Sequence, residues 1–109
     1  MASHPLDAMI AAPDHHEVLF ENDRVRILDT SVQPGQRTPV HAHEWPAALY
    51  VLSWSDFIRR DADGAVMVDS RQRRMGEPGA GIWLDPLPPH SIENVGSADL
   101  RIIAVEVKS

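Results

Sequence analysis

Turn signals recur along this chain roughly every 8–12 residues, and no segment between them keeps a helical period. Asn22-Asp23, Pro34-Gly35, Asp63-Gly64, the Gly/Pro run from Gly76 to Gly81, Pro86-Leu87-Pro88-Pro89 and the stretch from Gly96 to Asp99 are the punctuation. They bound short apolar or alternating runs: Glu17 to Phe20, Val25 to Gln33, Val40 to His43, Ala47 to Trp54, Phe57 to Arg60, Ala65 to Val68, Ile82 to Leu84, His90 to Val95 and Arg101 to Val107. About eight short strands joined by tight turns predict an all-β antiparallel sandwich or barrel. With 109 residues the chain makes one such domain and not two.

Residues 1–13 are rich in small side chains and read as a flexible arm or one short helical turn, leaving 14–109 for the barrel domain. His15 and His16 follow in tandem; on a strand they face opposite ways, and both are expected at the surface. Ala47 to Trp54 is apolar on both faces, which predicts a buried central strand. Asp61-Ala62-Asp63-Gly64 predicts a hairpin turn. The arginines around it, Arg59, Arg60, Arg71, Arg73 and Arg74, are expected to form solvated ion pairs with Asp61, Asp63 and Asp69. Pro86 to Pro89 predicts a stiff turn ahead of the His90 strand.

His41-Ala42-His43 lies in one of the strand segments. Side chains two apart on a strand share a face, so both imidazoles are able to converge on one metal ion. A third ligand has to come from elsewhere, and His90 is the candidate. In a closed sheet a late strand faces an early one, which makes His41, His43 and His90 prospective neighbours.

Other functions are excluded by what is missing. The chain has no cysteine, so thiolate nucleophiles, disulfides and Cys-ligated metals are ruled out. Its net charge of -6 disfavours nucleic acid and anionic membrane as partners. No run approaches a membrane span, and the N-terminus lacks a secretory pattern, so a cytoplasmic location is expected.

Around these histidines the sequence resembles the cupin superfamily, small β-barrels of the double-sheet jelly-roll type. Gly35, His41 and His43 match the first cupin motif in register, with Ala47 at its glutamate position and Trp54 at its last glycine. Gly79, His90 and Asn94 match the second, with Asp85 and Leu87 replacing its proline and glycine. The resemblance implies a cupin barrel over almost the whole chain. Because Ala47 cannot coordinate, it also implies the three-histidine variant of the metal site, seen in dioxygenase-like cupins.

Such a site, with neutral imidazoles, leaves a divalent transition metal (Fe, Ni, Zn, Cu or Mn) at full charge and favours a small anionic organic ligand. Asn94, on the face of His90, and Glu44, beside His43, are the candidates for a supporting shell, although Glu44, Asp85 and Glu93 also fit as surface carboxylates. Trp45, Trp54 and Trp83 are candidates to wall an apolar pocket or to fill the core, and Tyr50 to sit in the core or an interface. The functional expectation is a metalloenzyme of dioxygenase-like chemistry. A non-catalytic small-ligand or metal-binding module and a Lewis-acid isomerase or lyase are the alternatives. The second apolar face of Ala47 to Trp54 predicts a homodimer.

Overall fold

The computed structural model describes residues 5–72 and 76–108. After a four-residue helix α1 (Ala8–Ala11) and a single 3₁₀ turn (Pro13–His15), the described residues form nine strands. These are β1 (His16–Glu21), β2 (Val25–Val32), β3 (His41–His43), β4 (Ala47–Ser53), β5 (Phe57–Asp61), β6 (Val66–Asp69), β7 (Gly81–Leu84), β8 (Leu87–Asn94) and β9 (Leu100–Val107). Five of them make one antiparallel sheet in the order β1-β2-β9-β4-β7, and four make a second in the order β3-β8-β5-β6. The two sheets form the double-stranded jelly roll that the resemblance implies, one form of the antiparallel sandwich or barrel expected from the turn spacing.

Period-two alternation decides what faces inward. On β2, Arg26, Leu28 and Val32 are buried; on β9, Leu100, Ala104 and Glu106 are. Their neighbours pack into two apolar clusters, one around Leu28, Ala47 and Ala104 and one around Val32, Phe57 and Leu100. Three turns need a positive φ and have glycine there: Gly35 (82°), Gly64 (92°) and Gly79 (84°).

Several expectations change. Within 1–13, the described residues take the short helical turn: Asp7 caps it through the Met9 amide, and Ala8 and Ala12 are fully buried. β4 does lie inside its sheet, between β9 and β7, but only one of its faces is buried. Tyr50 is 51% exposed and Trp83, opposite Ala48, is 58% exposed, so neither belongs to the core. Pro88 and Pro89 sit within β8 and not in a turn. They fit because β5 pairs only from His90 onward, and the β3–β8 ladder is irregular between His41 and His43, where fewer amide donors are needed. Of the arginine cluster, Arg73 and Arg74 lie outside the described residues. Arg60 pairs with Glu93 of β8 and Arg71 with Asp69, whereas Arg59 turns inward and takes no acidic partner among the described residues.

Candidate metal centre

β3 and β8 are antiparallel neighbours in which His41 and His90 are direct cross-strand partners. Their ring centroids lie 4.6 Å apart. His43, two residues along β3, points to the same side, 5.1 Å from His41 and 5.4 Å from His90. The three histidines singled out by the strand pattern therefore meet.

A fourth ring joins them from the other sheet. His16, expected at the surface, is only 5% exposed. Its pairing with Thr30 of β2 sets it on the inner face, 4.9 Å from His41 and 5.8 Å from His43. His16, His41 and His43 bring one ligand nitrogen each to within 4.8 Å of one another, an arrangement able to hold a metal ion. The tandem His15-His16 carried only a weak signal, because His16 opens β1 on its inner face whereas His15 closes the 3₁₀ turn before it. His15 is half-buried, with Nδ1 3.0 Å from the Ser31 carbonyl.

Each of the four rings is held by Nδ1. The partners are Ala12 O for His16 (2.9 Å), Pro39 O for His41 (2.8 Å), Pro88 O for His90 (2.7 Å) and Glu106 Oε2 for His43 (3.4 Å). A carbonyl only accepts, so in His16, His41 and His90 the Nδ1 carries the hydrogen and Nε2 keeps its lone pair. Burial pushes these three well below the ordinary 6.5, to about 3 for His16, about 4 for His41 and about 3 for His90. The carbonyl bonds oppose that shift, and the neighbouring imidazoles add to it. At neutral pH all three are uncharged donors.

Behind His43 stands a buried ionic chain. Arg26 donates from Nε to Glu106 Oε1 (2.6 Å) and from both Nη atoms to Asp7 (2.8 and 3.0 Å). All three side chains are buried, and the Arg26 guanidinium lies 4.9 Å over the Trp45 ring. Burial favours a neutral Asp7, yet the hydrogen bonds from Arg26 and the Met9 amide outweigh it and hold the carboxyl below its ordinary value.

The rings open on a cavity of about 160 Å³, walled mainly by apolar side chains such as Leu49, Trp54, Phe57, Ile82 and Ile92. Ala47, at the family's glutamate position, also lines it, as do Trp45 and Arg59. An apolar space of this size holds a molecule the size of benzene. Neither residue expected to support the ligands lines it. Asn94 is buried and engaged elsewhere, donating to Val32 O and Ala98 O while accepting from Ser55 Oγ and the Gly96 amide. Glu44 is exposed. Glu106, which no motif or spacing singled out, fills the role expected of them: it lines the cavity and holds His43.

No protein-family model and no curated protein matches the sequence. Solved structures do. A cupin domain from Bordetella pertussis superposes with a TM-score of 0.69 at 17% identity, over 86% of this chain and 92% of that one. An RmlC-like cupin family protein with a double-stranded β-helix fold from Methanocaldococcus jannaschii gives 0.60 at 16%, over 84% and 77%. The polyketide cyclase RemF from Streptomyces resistomycificus gives 0.57 at 24%, over 86% and 64%. The two sheets, their order and these likenesses agree: the chain has the cupin fold.

Proposed function

We propose that this protein is a mononuclear metalloenzyme of dioxygenase-like chemistry acting on a small organic anion. His41 and His43 would hold a divalent transition metal (Fe, Ni, Zn, Cu or Mn) together with His90, their neighbour across the β3–β8 pair, or with His16, whose ligand nitrogen lies within 4.8 Å of theirs. The observation that carries this reading is the anchoring of Nδ1 in His16, His41 and His90 by backbone carbonyls, which leaves their Nε2 lone pairs free beside one cavity with mainly apolar walls. Imidazole donors suit these metals and not Mg or Ca. A bound ion would supply Lewis acidity and, where redox-active, a path for electrons from the substrate to oxygen. The chain supplies the rest. Its neutral rings leave the charge of the ion uncompensated and so draw in an anion, and its apolar walls keep out water that would screen that attraction. Glu106, fixed by Arg26, orients the His43 ring.

Titrating metal-free protein with Zn²⁺ or Co²⁺ is expected to show one ion per chain. His41→Ala and His90→Ala should each weaken binding by at least about 100-fold, His16→Ala should weaken it measurably, and His15→Ala should leave it unchanged. Unaltered affinity in His41→Ala would remove the reading. Oxygen uptake by the Fe²⁺ form, screened with β-diketones, catechols, 2-oxo acids and small thiols, tests the chemistry.

A second reading is favoured by His16. A fourth imidazole takes up a position that an oxygenase keeps open, which suits Lewis-acid isomerase, lyase or cyclase chemistry; RemF, a cyclase, shares the fold. Turnover that persists under argon selects it. Tight ligand binding without turnover under any metal selects the binding-module alternative.

The same proposal includes a homodimer. Across the outer face of the five-stranded sheet, the registers Phe20↔Ile27, Ile27↔Val105, Val105↔Ala48 and Ala48↔Trp83 align an apolar row over every strand. Phe20 and Trp83 are more than half exposed at its ends. A two-fold partner is the commonest cover for such a face. Light scattering is expected to give twice the 12.1 kDa chain mass, and Trp83→Glu to give single chains. A single-chain mass for the unaltered protein at micromolar concentration would refute the pairing.

A further inference from the structure

Among the described residues, Arg59 is unlike the other inward-facing charges. β5 alternates so that Phe57 and Arg59 line the cavity, while Arg60, facing away, donates to Glu93 Oε1 at 2.7 Å. The cross-strand neighbours of Arg59 are Ile92 on β8 and Val68 on β6, both apolar. Its Nε is buried without a hydrogen-bond partner. Arg26, the other inward arginine, has two carboxylates. Burial alone depresses the Arg59 pKa, with no acidic group opposing it, and the charge of its guanidinium is felt at His90.

A half-buried guanidinium without a counter-charge costs stability. Its Nε–Nη edge is the fork that a carboxylate fills with two parallel bonds. We infer that Arg59 is the anchor for a carboxylate on the substrate, which is therefore a small carboxylic acid with an apolar body. The carboxylate lies against β5, and the body occupies the space between Phe57, Ile92 and the imidazoles. A carboxylate fits this site better than a phosphate, because Arg59 is the one cationic side chain among its described lining residues and Glu106 opposes a dianion. This deepens the proposed function by naming the class of anion, and rests on it for the chemistry, but the anchor is testable without any metal.

The probe is benzoate, with benzamide as its neutral counterpart and inorganic phosphate as the alternative anion, titrated calorimetrically into metal-free protein. Benzoate is expected to bind, benzamide and phosphate much more weakly, and Arg59→Gln to lose about 10- to 100-fold in benzoate affinity while leaving Zn²⁺ affinity within a few fold. Arg59→Lys should recover only part of the loss, since a point charge replaces the fork. Arg59→Met should raise the melting temperature of the ligand-free protein, which an arginine kept for structure would not do. Equal benzoate affinity in the unaltered protein and Arg59→Gln, or no benzoate binding at all, would show a hydrated arginine and overturn the inference. Failure of Zn²⁺ binding with benzoate binding intact would instead overturn the metal reading and leave the anchor standing.

Discussion

Arg26→Ala is expected to destabilise the fold by about 3–5 kcal/mol, a large share of the 5–15 kcal/mol that holds a domain of this kind. The cost comes from what stays behind. Asp7 and Glu106 are each 1% exposed, and both lose their cation at once. Asp7 caps α1 and Glu106 lies on the closing strand β9, so the damage reaches the N-terminal turn and the large sheet together. Arg26→Lys should recover only part of the loss, because one ammonium cannot reproduce the bidentate grip on Asp7 and the Nε bond to Glu106. Urea unfolding followed by circular dichroism checks this. A loss below about 1 kcal/mol would mean that water reaches the network.

Acid should unfold the metal-free protein steeply. In the unfolded chain the imidazoles of His16, His41 and His90 take up protons near pH 6.5, whereas in the folded chain they wait until about 3, 4 and 3. Between those limits the unfolded state binds more protons. The stabilisation is therefore complete above pH 6.5 and lost as pH falls toward the folded values. Three such groups give a slope of about 4 kcal/mol per pH unit once below about pH 6, enough to exhaust a marginal fold within about two units. Urea midpoints measured from pH 7.5 to 4.5 should show this slope, and His16→Gln should flatten it by about a third. A fold that keeps its stability unchanged at pH 4.5 would refute the burial of His16, His41 and His90 as uncharged rings.

His41 and His43 were legible as a pair because strand geometry gives i and i+2 a common face whatever the partner strands do. Their meeting with His90 needed the register between β3 and β8, which composition does not encode; the motif spacing of a known fold supplied it. His16 shows where local reasoning stopped. Tandem histidines do not say whether either faces inward; the pairing of His16 with Thr30 does, and that pairing is long-range. Ala47 to Trp54 misled for the opposite reason. Apolar residues on both faces look the same whether the second face meets the core or the outside, and here Ala48, Tyr50 and Leu52 face out. Arg59 was read with its charged neighbours as solvated, although its alternation with Phe57 places it inside.

The imidazole cluster is drawn from both sheets: His16 from β1 in the larger, His41, His43 and His90 from β3 and β8 in the smaller. Anything bound among them is a rivet between the two layers. The residues that meet there are far apart in sequence, so the rivet is set only after the chain has closed on itself, late in folding. Interactions made after the transition state do little for the rate of folding and act almost wholly on the rate of opening. Occupancy of the cavity therefore governs how long the folded chain survives, more than how quickly it forms.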